Sequence, residues 1–305
     1  MAMSQVMRVG PAGWSYQDWS GIVYPLRRGR GFHEAAYLAD YFDTIEINTS
    51  FYQPVRPELG KLWVRKVEHN PRFLFTAKLW HRFTHERQTS AEDELAAREG
   101  FDALMAEGKL GAVLMQFPWS FKYDPDNRHY LIGLILRFRA YPLVVEVRHG
   151  SWNQPEVYEL LREWNVGFCN IDQPVIGRSL KPSAAATSPV GYIRLHGRNY
   201  DSWFSEDAKR QADERYNYLY SVAELQPWAA RTRNVSDQTE STFVITNNHY
   251  QGKAIANALQ LIQLLTGRPV RVPPEMISRY PELESIATPD SVAPGLFSAP
   301  KNQAP

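Results

Sequence analysis

Seven ionisable side chains stand at or near the ends of short apolar runs in this sequence, where they could bind an anion or move protons. They are Glu46, Glu146, Asp172, Lys78, Arg148, Arg194 and His196. Carboxylates and histidine are common general acids and bases in enzymes, while arginine and lysine bind carboxylate and phosphate groups. The set therefore predicts a site for a small, polar, anionic molecule.

Alternation within the runs predicts where these side chains point. In segment 44–48, Ile45 and Ile47 alternate with Glu46 and Asn48, and successive side chains of a strand point to opposite faces. Two further pairs share a face in the same way, Glu146 with Arg148 and Arg194 with His196. If helices cover the apolar faces, the polar side chains point into one interior. Buried charges cost several kcal/mol each unless paired, so a structural ion-pair network is the alternative to a binding site.

The apolar runs recur eight times, at intervals of about 25 to 50 residues, with helix-like segments between most of them. They span residues 8–15, 44–52, 72–79, 111–118, 143–149, 166–172, 191–197 and 242–248. A strand with its crossover helix needs roughly 30 residues, and TIM-type barrels are typically about 250 residues long. The predicted fold class is α/β, a TIM-type (β/α)8 barrel. Its active site is expected at the C-terminal ends of the strands.

Two stretches break the alternation of strands and helices. Between Asp172 and Val190 no helical period appears, which predicts that the sixth crossover helix is missing or replaced by a loop. Residues 198–220 are rich in charge and tyrosine and are a predicted lid or rim. We expect one barrel domain over residues 1–288 and a Pro-rich, disordered tail over 289–305.

Capping residues predict where several helices begin and end. Ser90 with Asp93, and Ser221 with Glu224, have the spacing of a capping box. Gly267 follows a segment in which apolar residues share one helical face, and it predicts the end of that helix.

Composition excludes several classes of protein. With 34 basic and 33 acidic residues, the net charge of +1 lacks the basic surplus of nucleic-acid binders. The single cysteine, Cys169, excludes an internal disulfide, and we expect it to be a buried, inert thiol. No run approaches the roughly 18 apolar residues of a membrane helix. The expected location is the cytoplasm, with no membrane partner.

Short motifs follow most of the strand runs. They are residues 10–16 (GPAGWSY) with Trp19, 46–48 (EIN) with Tyr52, Lys78 with His85, 116–118 (QFP), 146–149 (EVRH) with Trp152, Asp172 with Pro174, 194–197 (RLHG), and 247–248 (NN) with Gly252. Together they resemble the YecE-like family, domain of unknown function 72, through about residue 266. His249 departs from the family pattern, in which aspartate is common at this position.

The resemblance implies a TIM-type barrel and brings no established reaction. The family's fold is similar to metal-dependent barrels such as endonuclease IV and xylose isomerase, but function must be argued from the site. One alternative is therefore a metal-assisted phosphodiesterase or nucleic-acid repair enzyme. The sequence lacks HxH, HExxH and CxxC spacings, which argues against a metal. A non-catalytic ligand-binding protein is a further alternative.

Our first hypothesis is a metal-independent barrel enzyme of the hydrolase or isomerase type, with no cofactor. Its partner is a small, polar, anionic substrate; a nucleic acid partner lacks support from the net charge, and the oligomeric state stays open. The predicted catalytic residues are Glu46, Glu146 and His196. The predicted substrate-binding residues are Trp14, Tyr16, Asn48, Lys78, Gln116, Arg148, His149, Trp152, Asp172, Arg194 and Asn248.

For Lys78 and for three tryptophans, the expected role is more specific. Lys78 is expected to hold an anion as a charged ammonium, with a Schiff base as the alternative if the side chain is desolvated. Trp14, Trp19 and Trp152 are expected to stack on a sugar or base ring.

Overall fold

The computed structural model describes residues 5–200 and 214–291, and eight parallel strands form the centre of this part of the chain. The strands are β1 (Val6–Pro11), β2 (Thr44–Ile47), β3 (Leu74–Lys78), β4 (Leu110–Gln116), β5 (Leu143–Glu146), β6 (Gly167–Asp172), β7 (Val190–Leu195) and β8 (Ser241–Thr246). They pair in the order β1-β8-β7-β6-β5-β4-β3-β2. Most of their residues are buried, as expected of a parallel sheet covered by helices.

The barrel is closed between β1 and β2 by a short contact, which we call the seam. It consists of one parallel bridge between Ala12 and Glu46 and a hydrogen bond of 2.8 Å from Gly13 N to Glu46 O. Gly10 permits the approach, because a Cβ at that position would lie 1.9 Å from Thr44 O. The predicted TIM-type barrel is confirmed, with this seam as its narrowest pairing.

Helices separate most of the strands. They are α1 (Glu34–Leu38), α2 (Pro57–Lys66), α3 (Ala91–Ala106), α4 (Pro125–Phe138), α5 (Pro155–Glu163), α6 (Val222–Ser236), α7 (Lys253–Thr266) and α8 (Pro274–Arg279). Both predicted capping boxes form, at Ser90 before α3 and at Ser221 before α6. Gly267 ends α7 in the left-handed conformation, with φ of 67°, as glycine allows. None of the helices in the described ranges is long and apolar enough to cross a membrane.

The irregular stretches lie where the sequence predicts them. Residues 173–189, all of which the structure describes, contain no helix, so the missing sixth crossover helix is confirmed. Within the predicted lid, residues 201–213 lie outside the described residues. In the predicted tail, Pro289–Ser291 forms a 3-10 turn, with Ser291 Oγ accepting a hydrogen bond of 3.0 Å from Val272 N. Residues 292–305 lie outside the described part.

Candidate active site

A pocket of about 460 Å³ opens at the C-terminal end of the barrel, above β1, β2, β3 and β8. Aromatic rings form much of its wall, and Lys78, the last residue of β3, lies at its floor. The lining residues are Gly13, Trp14, Ser15, Tyr16, Asn48, Thr49, Tyr52, Trp63, Lys78, Tyr216, Asn247 and His249. Four predicted substrate-binding residues are among them: Trp14, Tyr16, Asn48 and Lys78.

Below the pocket, ionisable side chains from several strands meet inside the barrel. We call this set the lumen network; it comprises Glu46, Lys78, Glu146, Arg148, Tyr192, Arg194 and His196. Arg194 is fully buried and joins the two carboxylates. Its Nη2 lies 2.7 Å from Glu46 Oε1, and its Nη1 lies 2.6 Å from Glu146 Oε2. These three side chains therefore meet in one interior, as the alternation along their strands predicts.

Each carboxylate of the network has further donors. Glu46 Oε2 accepts a hydrogen bond of 2.9 Å from the Tyr192 hydroxyl. Glu146 Oε1 lies 2.6 Å from Arg148 Nη2 and 3.2 Å from His196 Nε2. Because both carboxylates are surrounded by donors, they are suited to remain ionised although they are buried.

The pKa shifts agree with this arrangement. Burial disfavours the charged form of Glu146, but Arg148 and Arg194 outweigh burial and hold the pKa of this carboxyl well below its usual range. Burial also acts against the charged form of Arg194, yet Glu146 and Glu46 raise its pKa well above the ordinary value. For His196, burial and then Arg148 lower the pKa well below its usual value, so the imidazole is neutral near pH 7.

His196 is held on both sides. Asn247 Nδ2 lies 3.0 Å from His196 Nδ1, and Glu146 Oε1 lies 3.2 Å from His196 Nε2. In a neutral imidazole, Nδ1 can accept from the Asn247 amide, while Nε2 lies within ion-pair distance of Glu146 Oε1. Fully buried, and absent from the pocket lining, His196 is placed to orient Glu146 rather than to touch a substrate.

Lys78 connects the network to the pocket. Its Nζ lies 3.5 Å from Glu46 Oε1 and 5.5 Å from the centre of the Phe51 ring. Burial and then the neighbouring Arg194 charge lower the pKa of Lys78 from 10.5 to about 8, against the opposing attraction of Glu46 and Glu146. Lys78 is thus a desolvated lysine, the condition stated above for a Schiff base as the alternative to an anion-holding ammonium.

The aromatic wall is built mainly by residues that follow β1 and β8. The Tyr16 and His249 rings stack with centroids 4.4 Å apart, and Tyr216 packs on the same histidine at 4.7 Å. Trp14 meets Trp63 of α2 edge-on at 5.0 Å. Burial, and then the charge on Lys78, lower the pKa of His249 to about 4, so it is neutral here.

Comparison with known proteins settles the family. The family model described as "Protein of unknown function DUF72" matches residues 8–279. The chain belongs to the DUF72 family.

Solved structures agree with this assignment. A DUF72 protein from Thermotoga maritima shares 32% sequence identity, with a TM-score of 0.74, covering 85% of this chain and 99% of its own. A DUF72 protein from Enterococcus faecalis shares 26% identity, with a TM-score of 0.73, covering 85% of this chain and 95% of its own. No curated protein matches this chain. The resemblance seen in the sequence motifs is therefore confirmed.

Asp172 is not part of the lumen network, contrary to the sequence prediction that placed it with Glu46 and Glu146. Its carboxylate forms two hydrogen bonds with Arg198, at 2.8 and 3.0 Å. Asn170, two residues earlier, is bonded to the loop that replaces the sixth helix, whereas Cys169 lies 3.9 Å from Glu146 Oε2. Outside β6 lies this polar loop instead of a helix, so the assumption that apolar side chains face outward fails there.

The predicted substrate-binding role of Asn248 in this DUF72 protein is also wrong. It is fully buried, and its Nδ2 donates to Tyr218 O at 2.7 Å and to Asn257 Oδ1 at 2.8 Å, which makes it a structural residue. Its neighbour Asn247 lines the pocket instead. The reason is that β8 ends at Thr246, so strand alternation does not extend to these residues.

The predicted stacking role of two tryptophans is also wrong. Trp152 is fully buried, stacks on Phe121 at 5.0 Å, and donates from Nε1 to Phe121 O at 2.7 Å. Trp19 is fully buried and donates from Nε1 to His249 O. Of the three tryptophans, Trp14 alone lines the pocket.

Other predicted binding residues lie beside the pocket rather than in it. Gln116 Oε1 accepts from Arg194 at 3.0 Å, and Arg148 also contacts Gln173 Oε1 at 3.2 Å. His149 lines a separate cavity of about 410 Å³. Arg194 itself is enclosed by carboxylates, so it supports the site from below rather than binding an anion directly.

Sequence reasoning missed several residues of the site. Tyr192 lies two residues before Arg194, and the alternation that placed Arg194 would have placed it in the lumen as well. Tyr52, Trp63 and Tyr216 line the pocket, but they come from a loop, a helix and a turn, where no strand alternation applies.

The donor set does not fit a metal ion. Within residues 5–200 and 214–291, no group of three or more His, Cys, Asp or Glu side chains is placed to hold one. The carboxylates of the lumen network already accept from Arg194, Lys78 and Arg148. A divalent cation would have to displace these cations.

Lys78 is expected to make the stability of this DUF72 protein increase with pH between about pH 8 and 10.5. Since its folded pKa is below the ordinary value, the unfolded chain binds more protons in this interval, and the free energy of unfolding increases with pH. The full gain relative to Lys78→Met is at most about 3 kcal/mol. Urea unfolding of both proteins from pH 7 to 11 measures it. A difference between them that does not vary with pH would contradict the low pKa.

Proposed function

We propose that this DUF72 protein is a metal-independent enzyme of the hydrolase or isomerase type, acting on a small, polar, anionic substrate at the C-terminal mouth of the barrel. The observation that carries the proposal is the position of Lys78 at the floor of an aromatic pocket, beside carboxylates that are already paired with arginines.

The charges of the network support an anionic substrate. Glu46 and Glu146 carry two negative charges, and Arg148 and Arg194 carry two positive charges, so these four side chains sum to zero. His196 is neutral. A protonated Lys78 therefore adds one positive charge that these four side chains do not offset. An anionic group of a ligand beside Nζ would supply the missing counter-charge in a poorly solvated site.

The pocket walls support a substrate with a planar or apolar portion. Trp14, Tyr52 and Tyr216 present rings to a volume of about 460 Å³, within the size range of small-molecule sites. Asn48 adds polar specificity: its Nδ2 donates to the Tyr16 hydroxyl at 3.0 Å, and its buried Oδ1 has no hydrogen-bond partner among the described residues. The Asn48 amide therefore adds a polar group to a mainly aromatic wall.

The roles follow from the distances. Lys78 is the group that contacts the substrate and can give or take a proton. Glu46, 3.5 Å from Lys78 Nζ, can exchange a proton with it. Glu146, Arg194 and His196 are positioning residues, since they hold Glu46 or one another and do not line the pocket.

A turnover screen tests the proposal. Wild-type protein and Lys78→Met are incubated with a panel of phosphorylated and carboxylated sugars and ring compounds, and loss or isomerisation of each compound is followed by mass spectrometry and NMR. We expect turnover of at least one compound by the wild type and a rate at least about 100-fold lower for Lys78→Met, the usual scale for a lost acid–base group.

Lys61→Met is the matched control, because Lys61 is an exposed lysine of α2 outside the pocket. It should keep the wild-type rate. Equal turnover by Lys78→Met and the wild type, or no turnover of any compound in the panel, would contradict the proposal.

A further inference from the structure

The environment of Lys78 suits a nucleophilic amine as well as an ammonium ion. Its side chain is 9% exposed, and its Nζ lies at the pocket floor beside Glu46. The backbone fixes the origin of the side chain, because Lys78 N donates a hydrogen bond of 2.8 Å to Ser50 Oγ. The backbone position is thus fixed, and Nζ lies between Glu46 Oε1 and the Phe51 ring.

The charged groups around Lys78 come from several elements. Glu46 on β2 and Glu146 on β5 attract a proton to it, whereas Arg194 on β7 and Arg148 after β5 repel one. Neutral His249 faces the pocket from the loop after β8. With a pKa of about 8, about one molecule in ten carries a neutral amine at pH 7. Desolvated lysines of this kind are the ones that form Schiff bases.

We propose that Lys78 Nζ forms a Schiff base with the carbonyl group of a ring-bearing oxo acid bound in this pocket. The inference rests on the proposed function, since it names the substrate class and the covalent step of the same site. The carbonyl is placed by Nζ and the ring by the aromatic walls. The acid group is attracted by the positive charge that this nitrogen carries as an ammonium before the attack and as a protonated imine after it.

The step balances without an oxidant or reductant. The Nζ lone pair attacks the carbonyl carbon, a C–N bond forms, and the electron pair of the C–O π bond moves to oxygen. The proton that nitrogen loses is transferred to this oxygen, for which Glu46 Oε1 is the neighbouring carboxylate carrier. The nitrogen lone pair then forms C=N while the hydroxyl leaves as water with a second proton, the one that the Lys78 ammonium released before the attack, and nitrogen keeps its last hydrogen. A protonated imine keeps the positive charge beside the substrate's acid group.

Reductive trapping tests the inference. The wild-type protein is incubated with phenylpyruvate and sodium cyanoborohydride from pH 6 to 9, and adducts are located by peptide mass spectrometry. We expect labelling of Lys78 at least about tenfold faster than that of the exposed Lys61. Glyoxylate, an oxo acid without a ring, should show less preference for Lys78. Sodium cyanoborohydride without an oxo acid is the blank.

The variants separate the site from general lysine reactivity. Lys78→Arg should abolish the preferred adduct, and Lys61→Arg should leave it unchanged. Because labelling is measured separately at each lysine of the wild-type protein, the test does not depend on whether a variant folds. Labelling of Lys78 no faster than Lys61 would overturn the inference.

The outcomes of the two experiments are distinguishable. Turnover in the screen without trapping at Lys78 contradicts the Schiff base alone. Trapping at Lys78 without turnover of any compound contradicts the proposed enzymatic function and leaves the covalent inference standing.

Discussion

Arg194→Met is expected to lower the free energy of unfolding by about 3–5 kcal/mol. The variant leaves Glu46 and Glu146 buried without the guanidinium that lies 2.7 and 2.6 Å from them. Removing one partner of a buried ion pair leaves an uncompensated charge, which costs much more than the pair contributes when intact. Urea unfolding at pH 7 measures the change, and the pKa of Glu146, which Arg194 helps to hold low, should be higher than in the wild type.

Arg28→Met is the matched control for this variant. Arg28 pairs with Glu34 at 2.7 Å, but its side chain is 30% exposed, so the loss should stay below about 1 kcal/mol. Arg194→Lys keeps the charge and loses the two-pronged geometry, and it should fall between the two. A loss for Arg194→Met no larger than for Arg28→Met would contradict the view that the lumen network is a paired, desolvated cluster.

Gly10→Ala is expected to lower the free energy of unfolding by about 3 kcal/mol or more, at the upper end of overpacking effects. The added Cβ would lie 1.9 Å from Thr44 O, a backbone atom that cannot rotate away. Strands β1 and β2 would have to separate where only the Ala12–Glu46 bridge and the Gly13–Glu46 hydrogen bond join them. Thermal and urea unfolding measure the effect.

Gly133→Ala provides the opposite control. Gly133 lies inside α4, and a Cβ there would meet nothing within 4 Å. Alanine at this position should stabilise the protein by about 0.5–1 kcal/mol, because glycine disfavours helix interiors. If the two substitutions had effects of the same sign and size, the close approach at the seam would not be the cause.

The sequence predicted the barrel because its strands and helices have clear periods. It predicted the position of Glu46 for the same reason: Ile45 and Ile47 alternate with it and identify the outer face. The argument was wrong where that contrast is absent. Asp172 belongs to β6, which a polar loop covers on the outside instead of a helix, and Asn248 lies beyond the end of β8, so alternation could not assign either.

The pocket was harder to predict than the network. Tyr52 and Tyr216 follow strands β2 and β7, and Trp63 belongs to α2. Their approach to Lys78 depends on how loops and helices pack over the barrel end, which no local sequence period encodes. Tryptophans quoted as stacking residues were misassigned for the same reason, because residue type alone does not distinguish a ring that faces a cavity from one that fills the core.

The two strands that meet at the seam also carry the walls of the pocket. Trp14 and Tyr16 follow β1, whereas Asn48 follows β2, so a molecule held among them touches both sides of the closure. A bound ligand would therefore hold together the two strands whose pairing is the shortest in the barrel. Occupancy should therefore raise the unfolding temperature by mass action and slow amide hydrogen exchange first at Gly13 N, the donor that closes the ring.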